Sequence, residues 1–116
     1  MKAIRVAQFG GPEVLVVQDV PTPEAGPGQV RVKLEAAGIN PVETYIRAGT
    51  YARLPQLPYT PGTDGAGVVD AVADDVAGVA VGDRVYVAAL LARASTGTYA
   101  EYVVCDASCV HPLPAT

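Results

Sequence analysis

A chain of 116 residues, half of them hydrophobic, carries enough apolar surface for one core, is too short for two ordinary domains, and is no disordered tail. A net charge of −4 without any Lys/Arg cluster excludes the concentrated positive face that nucleic acid demands. The same balance offers nothing to an anionic membrane surface.

The first six residues carry Lys2 and Arg5 and no apolar run of signal-peptide length, so the expectation is a cytoplasmic protein without a secretion signal. Lys2 to Gln8 alternates loosely as a strand, and Gly10-Gly11-Pro12 turns the chain. Val14 to Val20 reads as a second strand, ended by a cluster of Pro and Gly from Pro21 to Gly28. The cleanest strand is Val30 to Ala36, where Val30, Val32, Leu34 and Ala36 alternate with Arg31, Lys33 and Glu35.

A helix start follows. Asn40 stands at the N-cap, Pro41 at the first helical position, Glu43 where it can reach back to the cap N–H, and Gly49 at the stop. Val42, Tyr45, Ile46 and Gly49 follow i, i+3, i+4, i+7 spacing, which predicts that Tyr45 faces inward. Pro55, Pro58 and Pro61 then space out an extended, unpaired loop.

The glycines Gly62, Gly65 and Gly67 lead into a strand at Val68 to Val72. Their spacing and the absence of a following helix distinguish them from a dinucleotide fingerprint, so they read as points of close backbone approach. A turn at Val81-Gly82-Asp83 opens a strand to Val87, Ala88 to Thr98 is a loop or edge segment, and Tyr99 to Cys105 is a further strand. The segment from Val85 to Ala100 is broken by Arg93 and is not a membrane span. His111 lies in a proline-flanked tail and reads as solvated, and Cys105 and Cys109 read as free thiols. Six or seven short strands and one short helix describe a mostly-β sandwich or partly open barrel.

Five stretches taken together go further: Gly10 to Leu15, Gly38 to Tyr51, Pro58 to Asp64, Val81 to Val85 and Tyr99 to Tyr102. In this order they resemble the N-terminal part of zeta-crystallin-type quinone oxidoreductases of the medium-chain dehydrogenase/reductase superfamily. The resemblance covers the whole chain as one domain, residues 1–116, and implies a GroES-like catalytic domain. It also implies a longer protein whose nucleotide-binding Rossmann domain is absent from this chain.

The zinc alcohol dehydrogenases of the same superfamily place a cysteine and a histidine at the catalytic metal. The positions resembling those ligands here are Asn40 and Thr63, so the expectation is no zinc. The resemblance implies NADPH as cofactor and a quinone-like substrate, with Tyr45, Tyr51 and Asn40 as catalytic residues and Asn40, Tyr45 and Thr63 on the cofactor side. Each has a second reading: Asn40 as a helix cap only, Tyr45 as core, Tyr51 as a cover for the core, and Thr63 as a cleft residue without a task. Tyr86, Tyr99 and Tyr102 read as packing residues, and the role of Asp64 stays open. An enoyl-thioester reductase and a GroES-like binding module without catalysis are the alternatives. The full-length protein is expected to be a homo-oligomer, and these 116 residues alone to bind NADPH weakly or not at all, turn nothing over and expose apolar surface.

Overall fold

The computed structural model describes residues 1–90 and 95–114. Seven strands and one α-helix follow one another: β1 (Lys2–Arg5), β2 (Val16–Asp19), β3 (Gln29–Ala37), α1 (Pro41–Ala48), β4 (Asp64–Val72), β5 (Arg84–Ala88), β6 (Tyr102–Asp106) and β7 (Val110–Pro112). Single 3-10 turns occupy Pro12–Val14 and Ala107–Cys109. The strands form an antiparallel five-stranded sheet in the order β6-β3-β4-β5-β7 and a separate antiparallel pair, β1-β2. The two sheets stay separate, so the fold is the mostly-β, open architecture expected of a GroES-like domain.

Alternation builds the core. Val30 and Val32 of β3, Val69 of β4, Val85 and Val87 of β5, Val103 and Cys105 of β6 and Val110 of β7 form one buried cluster, while Lys33, Glu35, Arg84 and Tyr86 face outward. Each fully buried valine contributes about 1.5 kcal/mol of transfer free energy. On the opposite side Arg31 forks onto Asp70 at 2.9 and 3.2 Å, donates to the Pro23 carbonyl at 3.1 Å, and lies 5.4 Å from the Tyr102 ring centroid. That cluster ties the proline-rich segment after β2 to the sheet.

Of the glycines before Val68, Gly65 and Gly67 lie inside β4 as points of close approach, while Gly62 precedes the strand at a φ of 110°. A Cβ at Gly67 would overlap the Lys33 carbonyl of β3, which explains why this strand pair, the most extensive in the fold, requires a residue with no side chain there.

Several expectations need correction. Val14 belongs to the 3-10 turn, so the second strand starts only at Val16, and all four of its residues are exposed. Tyr99 precedes β6 rather than joining it. The proline-spaced loop is not wholly unpaired, because Tyr59 exchanges both backbone hydrogen bonds with Val6 at 2.8 and 3.0 Å. His111 is no solvated tail residue: it sits in β7, opposite Tyr86 of β5, with ring centroids 5.0 Å apart. The loop expected over 88–98 falls partly outside the described residues, at 91–94.

Candidate active-site cleft

The helix forms where its caps dictate. Asn40 holds extended dihedrals of φ −122° and ψ 149°, Pro41 opens the first turn, and the Asn40 N–H donates to Glu43 Oε1 at 2.7 Å. Gly49 closes the helix in the left-handed region at φ 82°, beyond the reach of most side chains. The C-terminal end docks on the first glycine turn, where Gly10 N–H donates to the Arg47 carbonyl at 2.8 Å and Arg47 Nε donates back to the Gly10 carbonyl at 3.3 Å.

The inward residue of this helix is Glu43, only 5% exposed. Oε1 accepts from the Asn40 N–H and from the Tyr99 hydroxyl, each at 2.7 Å, and Oε2 accepts from the Thr63 N–H at 3.0 Å and the Thr63 hydroxyl at 3.1 Å. A carboxylate has about four acceptor sites, and all are used. That saturation makes burial of the acid tolerable, since each lone pair lost from water finds a donor. The carboxylate thereby joins the start of α1, the segment before β4 and the segment before β6 at one point.

Tyr45 is 54% exposed and not on the inward face. Apolar periodicity assigned it inward because Glu43 was counted as polar, yet it is Glu43 and Ile46, three residues apart, that face the interior of the site. Burial, then the hydrogen bond to Glu43 and its charge, push the Tyr99 phenol well above its usual range. Burial also raises Tyr59, whose buried hydroxyl has no hydrogen-bond partner among the described residues. Neither phenol ionises near neutral pH.

A cleft of about 660 Å³ opens beside this junction. Glu43, Ile46, Tyr51 and Thr63 form one side, Arg5, Arg53 and Tyr59 contribute polar groups, and Leu54, Pro58 and Leu90 supply apolar wall. Such a volume fits a planar ring system with polar edges. Of the residues singled out from sequence, Tyr51 and Thr63 line it, whereas Asn40 and Tyr45 do not. Tyr45 is exposed on α1, next in sequence to Ile46, and Asn40 acts as the cap of α1. Asp64 starts β4, with Oδ1 buried and unpartnered among the described residues.

Sequence reasoning missed Glu43 as the junction and Tyr99 as its partner. The capping-box spacing was the one signal for Glu43, and it pointed only to the cap. Cys105 and Cys109 belong to the core cluster and do not line the cleft. Among the described residues, no three His, Cys, Asp or Glu side chains gather as a metal-ligand set, and no helix is long and apolar enough to cross a membrane.

The family profile described as "Alcohol dehydrogenase GroES-like domain" matches residues 26–115. The rat protein named quinone oxidoreductase is 50% identical over 117 aligned residues, which cover all of this chain and 34% of the relative. Its human counterpart is 49% identical over 115, covering 98% of this chain and 34% of the relative. The crystal structure of Escherichia coli quinone oxidoreductase complexed with NADPH superposes with a TM-score of 0.89 at 34% identity, covering 99% of this chain and 34% of that one. The chain thus spans about a third of the length of the curated relatives it matches.

Proposed function

The chain belongs to the alcohol dehydrogenase GroES-like domain family, and from that premise we propose that it is the substrate-side half of a zinc-independent, NADPH-dependent reductase of quinones or related enones. The observation that carries this reading is the 50% identity to a quinone oxidoreductase along the entire chain. The cleft chemistry supports it. Reduction of a conjugated carbonyl builds negative charge on oxygen, and preorganised donors lower that barrier. Tyr51, Arg5 and Arg53 bring such donors to the cleft.

When bound, NADPH supplies the hydride; with one proton added, a quinone becomes a hydroquinone. The chain's own residues orient and protect. Tyr51 donates a hydrogen bond to the oxygen being reduced and passes on the proton. Ile46, Leu54 and Leu90 cover the ring faces and exclude water. Tyr45 on the exposed side of α1, Asn40 at the cap and Thr63 in the wall serve the nicotinamide side, and Thr63 also borders the substrate. The described residues fit only this end of the cofactor, for no glycine-rich turn leads into a helix that would receive the pyrophosphate.

Zinc independence is supported by Asn40 and Thr63, neither a soft ligand, and by the position of both cysteines in the core. We read the full-length protein as cytoplasmic and as a homo-oligomer; light scattering checks the oligomeric state, and fractionation of cells the location. The decisive experiment is NADPH oxidation by purified full-length protein with 1,4-benzoquinone and with a 2-enoyl thioester, before and after chelation. Quinone turnover that survives chelation is expected. Preference for the thioester, or one bound zinc per chain at the site, overturns the reading.

A further inference from the structure

The Glu43 junction constrains what the cleft wall can say to a ligand. A threonine hydroxyl has a single proton to give and two lone pairs to offer. Thr63 gives its proton to Glu43 Oε2 at 3.1 Å, and its own N–H donates to the same oxygen at 3.0 Å. The other carboxylate oxygen is held by Asn40 and Tyr99 at 2.7 Å each. Glu43 therefore has neither a rotation nor a free lone pair with which to release Thr63, and at 5% exposure water does not compete for it. Because Thr63 lines the cleft, its hydroxyl is left with lone pairs alone to offer there.

We propose that Glu43 is a positioning residue that fixes Thr63 as a hydrogen-bond acceptor, so that this part of the wall recognises a ligand O–H, the hydroquinone, and not the carbonyl of the quinone. The assignment rests on the quinone-reductase reading and divides labour within the cleft. The carbonyl of the oxidised ligand is met by the donors Tyr51 and the arginines, while Thr63 receives the hydroxyl that exists only after reduction. A neutral hydrogen bond of this kind gives about a fivefold to tenfold preference for a ligand that can donate.

The test is calorimetric binding of hydroquinone and of 1,4-dimethoxybenzene, its dimethyl ether, to the full-length protein under anaerobic conditions. Wild type is expected to prefer hydroquinone about fivefold to tenfold. Thr63→Val, which removes the hydroxyl and little volume, is expected to bring that ratio within about twofold, and Thr63→Ser to keep it. Glu43→Gln replaces one acceptor oxygen by a donor NH2, which breaks the four-donor arrangement, and the ratio is expected to fall there too. Thermal melts accompany each variant, and Thr63→Val carries the test if Glu43→Gln does not fold. An unchanged ratio in Thr63→Val, or no preference in wild type, overturns the proposal. Binding is read without turnover, so a protein that shows the preference but reduces no quinone removes the functional reading and leaves the Thr63 assignment standing.

Discussion

At Tyr51 a phenol lines a cleft whose opposite walls are partly apolar, and its contribution is measurable by removing one atom. If Tyr51 meets the developing oxyanion, Tyr51→Phe in the full-length protein lowers kcat with quinone about 10-fold to 100-fold while changing KM less than about threefold. A kcat within twofold of wild type removes Tyr51 from the chemistry. A second residue-scale prediction concerns Cys105. Burial, with Cys109 and Asp106 nearby, pushes its thiol from an ordinary 9.0 up to about 12, and burial raises Cys109 as well. A folded pKa above the unfolded one means the contribution is fully present below about pH 9 and is lost as pH rises toward 12. Urea unfolding between pH 9 and 11 should therefore show a pH slope that Cys105→Ala flattens by up to one proton; Tyr59 and Tyr99 titrate in both proteins, so they cancel in the difference. Equal slopes would refute the assignment. Tyr51 and Thr63 were legible in the sequence because a family pattern marks them, and Asn40 because capping is local chemistry. Glu43 and Tyr99 were not, since what makes the acid buriable is the convergence of two segments that lie 20 and 56 residues away in the chain.

Elements were legible where one local rule decides them. β3 alternates in sequence and in burial, and α1 begins at its cap and ends at its glycine. The rule failed where pairing, rather than pattern, makes the element: β7 has three residues, and His111 belongs to it because Val85, Tyr86 and Val87 of β5 offer a partner. Tyr45 failed for a related reason, as counting apolar positions ignores a carboxylate whose donors come from elsewhere. The glycines of β4 show a success of the opposite kind, because their meaning was steric from the start. At Gly67 the Lys33 carbonyl occupies the place a Cβ would take, and Leu34, its register partner, sits next to a bulge in β3. Backbone cannot swing away as a long side chain can, so Gly67→Ala is expected to cost about 2–3 kcal/mol by overpacking, read from urea unfolding of the 116-residue chain. A loss under about 0.5 kcal/mol would mean that β3 and β4 separate without penalty.

For the molecule as a whole, the question is how much of a nicotinamide nucleotide this chain holds by itself. Phosphates are bound most readily where the N–H groups at a helix start are free and the helix dipole is uncompensated. Among the described residues the one α-helix fails that condition: Glu43 sits in its first turn and already accepts the Asn40 N–H. An added phosphate would meet negative charge where it needs donors. The five-stranded sheet is antiparallel throughout, so no strand-to-helix crossover offers a second helix start. What remains is the cleft, with Arg5 and Arg53 at its wall and Leu54, 43% exposed, among its apolar residues. These can hold a ring, whereas two arginines without free helix N–H groups offer the pyrophosphate only charge. The 116-residue chain is accordingly expected to bind NADPH with a Kd weaker than about 1 mM, corresponding to under about 4 kcal/mol, and to catalyse no quinone reduction. Calorimetry that gives micromolar binding to these residues alone would show that the Arg5 and Arg53 side of the cleft grips the phosphates, and the nicotinamide would then have to enter from the opposite end.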